Sequence, residues 1–152
     1  MYKGPSDLMA PLESGELRRQ VGLKLRAEDG CNLVYIMWRI DPEAKLVVSV
    51  KRNPGMHTHA ECGANGYSTL APEYSVPMPK LNIGEQHKVS AAIDNGRLLV
   101  MVDGKTVWEG TLPDEALSLK GKVGLRTDNA KLDLELYPAA PSLVWGESTK
   151  PP

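Results

Sequence analysis

Residues 86–110, QHKVSAAIDNGRLLVMVDGKTVWEG, contain two turn signals between apolar runs. Asn95-Gly96 and Asp103-Gly104 are dipeptides preferred in type I′ hairpin turns, because both central positions of that turn need a positive φ. Polar and apolar residues alternate on either side of these turns, which is the pattern of half-buried strands. The stretch therefore predicts a three-stranded antiparallel meander with its apolar face on Val89, Ala91, Ile93, Leu98, Val100 and Val102.

Further strand patterns extend this prediction to the rest of the chain. Short alternating or apolar runs, bounded by Gly, Pro, Asn and Asp, lie at 21–27, 32–40, 45–52, 56–62, 121–127 and 131–137. Short strands with frequent turn signals are typical of an all-β sandwich. We therefore predict an antiparallel two-sheet, jelly-roll-like sandwich. It forms a single domain over residues 1–138 with an extended segment at 1–16, followed by a Pro-rich tail at 139–152 that contains Trp145.

Length, charge and cysteine content limit the classes of function. A chain of 152 residues with a net charge of −1 has no overall field that would attract nucleic acid. No apolar run approaches the ~18 residues of a membrane span, so membrane partners are not expected. The N-terminus lacks a signal-peptide pattern, and the sequence leaves the compartment undetermined. Cys31 and Cys62 make no disulfide framework, and we expect them to be unpaired because they do not face each other in a simple meander.

Two clusters raise the question of catalysis or metal binding. His57, His59 and Glu61 would share one face of a strand at 56–62, and such a set can bind iron or zinc. Asp133 and Glu135 would share a face of the last strand, as acids of glycoside hydrolases do. A solvated sheet face is the better explanation of both clusters, because strand alternation alone produces it. We therefore predict no metal, no cofactor and no catalytic residues.

The strand at 32–40 is apolar on both faces. Its even positions supply a core face that includes Trp38, and Trp108 is a second expected core residue. Its odd positions, which include Tyr35 and Met37, are also mostly apolar. A sheet covered on one side does not need this pattern, so a loop, the tail, another subunit or a ligand is expected to cover the second face.

The second face of this strand also predicts a binding patch. The strands at 32–40, 45–52 and 56–62 are joined by short turns, so we expect them to be neighbours in one sheet, with Arg39 near Val47 and Tyr35 near Lys51. An aromatic ring that packs on sugar C–H groups would then lie beside polar groups that bind hydroxyls. The predicted binding residues are Tyr35, Arg39, Lys51, His57, His59 and Glu61.

The order of motifs at 88–107 and 121–137 resembles the concanavalin A-like lectin/glucanase superfamily. The shared features are the Asn-Gly turn, the Val-Asp-Gly-Lys hairpin and the segment Gly-Lys-Val-Gly-Leu-Arg-Thr-Asp, closest to laminin-G-like and keto-disaccharide-hydrolase-like jelly rolls. The resemblance implies fold more than activity, because these motifs are structural. We expect a non-catalytic module that binds a glycan. The alternatives are a structural subunit of a homo-oligomer, larger assembly or virion, and a glycoside-processing enzyme.

Overall fold

The computed structural model describes residues 1–137, so the predicted tail with Trp145 lies outside the described residues. These residues form an all-β sandwich with 46% strand and 6% helix, which confirms the predicted fold class. The elements in chain order are β1 (Tyr2–Pro5), β2 (Arg19–Ala27), β3 (Leu33–Asp41), β4 (Lys45–Lys51), α1 (His59–Cys62), β5 (Tyr67–Thr69), β6 (Tyr74–Ser75), β7 (Val89–Asp94), β8 (Arg97–Val102), β9 (Lys105–Thr111), α2 (Asp114–Leu117), β10 (Lys122–Asp128) and β11 (Ala130–Leu132).

The strands form two main antiparallel sheets and one small one. The larger sheet has five strands in the order β10-β2-β3-β4-β5, and the second has four in the order β6-β9-β8-β7. β1 pairs with β11 in a separate two-stranded sheet, so part of the N-terminal segment is a paired strand. Neither short helix in the described part of the chain has the length to cross a membrane.

The core lies between the inner faces of the two main sheets. Ile36 and Trp38 of β3 pack in one buried cluster with Val100 of β8 and Trp108 of β9. The even positions of β3 therefore face the second sheet, as their spacing predicts. Both tryptophans are core residues, also as predicted, with 2% of each exposed.

Both hairpins of the 86–110 meander have the predicted turn conformation. Asn95 and Gly96 have φ values of 48° and 76°, and Asp103 and Gly104 have values of 52° and 80°. A positive φ at both central positions is the type I′ geometry. Local sequence chemistry alone is enough to place these two turns.

Two predicted strands are wrong. Residues 56–62 do not form a strand: Thr58 and Glu61 form a capping box that starts α1, and β5 takes the predicted place beside β4. The alternation in MHTHAEC predicted a strand because a four-residue helix is too short to show its own period. The last strand ends at Leu132, so Asp133 and Glu135 lie beyond it.

The expectation of unpaired cysteines is also wrong. Cys31 and Cys62 form a disulfide, with Cα atoms 5.9 Å apart. α1 makes this pairing possible, because it folds the chain back so that Cys62 lies near Gly30, just before β3. An extended strand at 56–62 would instead carry Cys62 away from Cys31. The bond closes a loop of 31 residues and ties α1 to the five-stranded sheet.

Replacing Gly104 by Ala should lower the free energy of unfolding by about 1 kcal/mol, because a Cβ is strained at a φ of 80°. No atom lies within 4 Å of the added Cβ, so a clash cannot explain the loss. Gly124→Ala is the matched control, since Gly124 is in a strand without positive φ and its Cβ would meet only ordinary contacts at 3.8 Å. Equal unfolding midpoints in urea for the two variants would contradict the turn assignment.

Removing the disulfide by Cys31→Ala with Cys62→Ala should lower the free energy of unfolding by about 3.7 kcal/mol. The expected size follows from the entropy that closing a 31-residue loop removes from the unfolded chain. Denaturant titrations of the oxidised wild type and the double variant measure it. Two reactive thiols per chain in denatured, unreduced protein would show that the bond does not form.

Candidate functional site

The outer face of the five-stranded sheet carries three of the six residues predicted to bind, Tyr35, Arg39 and Lys51. Strand register sets cross-strand rows on this face: Asp128, Gln20, Arg39 and Lys45 form one row, and Gly124, Lys24, Tyr35, Ser49 and Thr69 form another. Arg39 is opposite Lys45 and not Val47, and Tyr35 is opposite Ser49 and not Lys51. The predicted register is therefore wrong by two residues, which leaves every side chain on its predicted face.

Tyr35 lies inside this face and does not present a free ring. Its ring stacks on that of Tyr67 with centroids 5.9 Å apart, and the Arg126 guanidinium lies 4.9 Å from its centroid. Only 6% of Tyr35 is exposed, whereas 41% of Tyr67 is exposed. Burial, and after it the neighbouring Tyr67, raise the pKa of the Tyr35 hydroxyl to about 12. Tyr35 supports the exposed Tyr67 ring from below.

Lys51 is buried on the same face as Tyr35 and Arg39, as the sequence predicts. Its Nζ donates to the Gly63 carbonyl at 2.6 Å and lies 4.9 Å from the Tyr67 ring centroid. A buried ammonium needs such partners, because desolvation without them is costly. Lys51 therefore fixes Tyr67 and the end of α1 relative to the sheet.

Three arginines converge at the β10 side of the face. Burial lowers the pKa of Arg18, and the positive charges of Arg39 and Arg126 lower it further. Burial also lowers the pKa of Arg39. Asp128 compensates only part of this charge, accepting from Arg126 Nε at 2.9 Å and from Gln20 Nε2 at 2.7 Å.

Two buried polar atoms at this face have no protein partner. Gln20 is 2% exposed, and its Oε1 has no hydrogen bond within residues 1–137. The Nε of Arg39 is also buried and also lacks a hydrogen bond within these residues. Arg39 lies directly opposite Gln20 in the register of β2 and β3. Buried polar groups are nearly always hydrogen-bonded, so a neighbouring donor and acceptor without partners indicate a place for a ligand or water.

Loops close this face into a cleft. Residues 11–14 and 16 form one wall, and Gly63 and Ala64 form another, over the sheet residues described above. The cleft is open to solvent on one side and has a volume of about 730 Å³. We call this space the outer cleft. The predicted covering of the second apolar face of β3 is thus supplied by the chain itself, and the volume of the outer cleft is left beneath the loops.

The three residues predicted on the strand at 56–62 do not join Tyr35 on a sheet face. His57 Nδ1 lies 2.8 Å from Asp29 Oδ2, and Glu61 accepts from the backbone N–H of His57 at 2.7 Å. His59 lies at the rim of the outer cleft, with its Nε2 3.1 Å from Glu13. These side chains stabilise α1 and the segments beside it. No group of three or more candidate metal ligands occurs within residues 1–137.

Asp133 and Glu135, the second cluster considered for catalysis, do not form a pair of acids on one strand face. Asp133 lies 3.0 Å from the ammonium of Lys3. Glu135 is not in a strand, so strand alternation no longer places the two carboxylates on one face. Their sequence spacing alone therefore supports no pair of acids facing a common substrate.

Tyr67, Arg126 and Gln20 line the outer cleft but are absent from the residues predicted to bind. The signal for Arg126 was present, because the alternation in β10 places Arg126 and Asp128 on the face opposite Leu125. No local signal identifies Tyr67 or the loops, because their position depends on α1 and on the disulfide.

The chain matches no protein-family model, no curated protein and no solved structure. The concanavalin A-like resemblance of residues 88–107 and 121–137 therefore stays a prediction.

His57 should titrate above pH 6.5 in wild-type protein, because the hydrogen bond with Asp29 raises the pKa of its imidazole. The stabilisation from the charged pair is then complete below the unfolded-state pKa and is lost as the pH rises through the raised folded-state pKa. NMR titration of the imidazole C–H signals measures the midpoint, and Asp29→Asn should lower it. The midpoint of His87, whose pKa Asp103 and Glu85 raise, should not move in that variant. An unchanged His57 midpoint would contradict the proposed pair.

Proposed function

We propose that this protein is a non-catalytic carbohydrate-binding module of concanavalin A-like type that holds a glycan in the outer cleft. The supporting observation is the exposed Tyr67 ring beside guanidinium and amide groups in a cleft of about 730 Å³. Sugars have apolar C–H faces and hydroxyl edges, so they need this combination. A volume of this size falls in the range of small-ligand sites.

Tyr67 is suited to pack on a sugar ring. Its ring is held in place by Tyr35 and by Lys51, so little side-chain entropy is lost when a ligand binds. Tyr35 and Lys51 then act through Tyr67 and do not themselves contact the sugar. This assigns a positioning role to two of the residues that sequence analysis placed in direct contact with ligand.

The polar groups of the outer cleft supply hydrogen bonds for hydroxyls. Gln20 offers an acceptor oxygen, and Arg39 offers donors, both from the same cross-strand pair. A hydroxyl group can donate to one of these side chains and accept from the other. Satisfying both buried atoms at once removes the cost of leaving them unpaired.

The lining carboxylates support binding and do not favour hydrolysis. Asp128 is engaged by Arg126 and Gln20, and Glu13 lies 3.1 Å from His59. Glu16 is paired with Arg18. A glycoside hydrolase needs one carboxylic acid with a raised pKa facing a second carboxylate across the scissile bond. Each lining carboxylate is instead engaged by a basic or amide side chain of the protein itself.

Tyr67→Ala should weaken binding of the wild type's best glycan about tenfold, as expected for loss of one aromatic contact surface. The ligand is first found with labelled protein on a glycan array and then measured by isothermal titration calorimetry. Tyr74→Ala is the matched control, because Tyr74 is 50% exposed on β6, outside the outer cleft. Its affinity should equal that of wild type.

Two results would overturn the proposal. The first is that wild-type protein binds no glycan on a broad array. The second is that Tyr67→Ala and Tyr74→Ala bind equally well. If the array is blank and Tyr67→Ala changes the mass measured by light scattering, the outer face serves subunit assembly.

One observation favours the assembly alternative at a different surface. β10 is an edge strand, and its residues Val123 and Leu125 are exposed on the face opposite Arg126. Exposed apolar residues on an edge strand are a common basis for strand pairing between chains. Light scattering of the wild type and of Val123→Lys distinguishes assembly through β10 from assembly through the outer cleft. The substitution should lower the oligomer mass only if the chains associate through β10.

A further inference from the structure

We propose, on the basis of the proposed function, that the glycan bound in the outer cleft is acidic and that Arg39 binds its carboxylate or sulfate group. The chain as a whole carries a net charge of −1, so a cationic cleft is not a consequence of overall composition. The local charge balance, the partners of each arginine and two unpaired polar atoms support this assignment.

The outer cleft concentrates positive charge. Its lining includes five cationic side chains, Arg18, Lys24, Arg39, Lys51 and Arg126, against three acidic ones, Glu13, Glu16 and Asp128, which leaves a local balance of +2 with His59 neutral. Walls of low dielectric strengthen the field that such a cleft exerts on a ligand. A neutral sugar gains nothing from this field, whereas a uronate or sulfated sugar is attracted by it.

Arg39 is the arginine left for a ligand. Arg126 pairs with Asp128, and Arg18 pairs with Glu16. None of the ion pairs within residues 1–137 includes Arg39. Its Nε is buried and has no hydrogen bond in the same residues, so part of its fork is already desolvated without compensation. An anion on Arg39 would supply both the missing charge and the missing acceptor.

The neighbours of Arg39 favour an oxyanion attached to a sugar. A guanidinium binds a carboxylate or sulfate through two parallel N–H···O bonds, which fixes the orientation of the group. Gln20 is directly opposite Arg39, and its free Oε1 accepts only from a donor such as an adjacent sugar hydroxyl. Sulfate and chloride lack that donor at neutral pH, whereas an acidic sugar carries both groups on one ring.

Matched polymer pairs test this inference by isothermal titration calorimetry at low salt. Oligogalacturonate is compared with its methyl ester, and dextran sulfate with dextran, so the members of each pair share a sugar backbone and differ in the charged group. We expect binding of at least one acidic member to exceed that of its neutral partner by about tenfold or more. The pair that shows the difference identifies the group as carboxylate or sulfate.

Three variants locate the effect. Arg39→Gln should lower the affinity for the acidic polymer about tenfold, and Arg39→Lys should lower it by a smaller factor because charge remains but the fork is lost. Lys80→Gln is the charge-matched control: it removes one positive charge at an exposed site outside the cleft lining and should bind like wild type. Unfolding midpoints confirm that each variant is folded. If Arg39→Gln does not fold, the affinity of Arg39→Lys is used to test the inference.

Specific results would overturn the inference. Equal losses in Arg39→Gln and Lys80→Gln would mean non-specific attraction, and equal binding of acidic and neutral members would mean no charge selection. Absence of binding to both acidic polymers would also overturn it. The proposed function is tested separately by the glycan array. Binding of neutral glycans that depends on Tyr67 would still support it after any of these three results.

Discussion

The structure depends on the burial of both faces of β3. Its backbone is satisfied by β2 and β4 on either side, so the strand is fixed in the middle of the larger sheet. Its inner face is covered by the second sheet, as Ile36 and Trp38 are. Its outer face carries Leu33, Tyr35 and Met37, which form a second buried cluster. Because no second sheet lies there among the described residues, loops and long side chains must cover that face.

The disulfide and Lys51 make this covering possible. Cys62 is tied to Cys31, just before β3, so the end of α1 is held over the sheet. The buried ammonium of Lys51 then binds the Gly63 carbonyl from below. Coverage of this kind excludes water from the apolar residues without filling the space above the polar ones. The outer cleft is thus a consequence of how the second face of β3 is buried.

The arrangement of Arg126 depends on a residue without a side chain. Gly22 lies between Arg126 and Met37 in a cross-strand row, and a Cβ there would meet the Ile36 carbonyl oxygen at 1.9 Å. β2 therefore approaches β3 closely at this point, and no side chain occupies the row between the arginine and the centre of the sheet. Arg126 lies over the Tyr35 ring, and the same contact supports the stacked tyrosines.

The sequence by itself determined the sheet class, both type I′ turns and which side of β3 each residue occupies. These features depend on period-two alternation and on local φ preferences, and a register error of two residues does not change a face. Tertiary structure decided the disulfide and the cleft walls. It also decided that the Tyr35 ring is buried and supports the Tyr67 ring, which is exposed. The physical reason is that these features depend on contacts between residues distant in sequence, and in a short segment such contacts outweigh the local pattern.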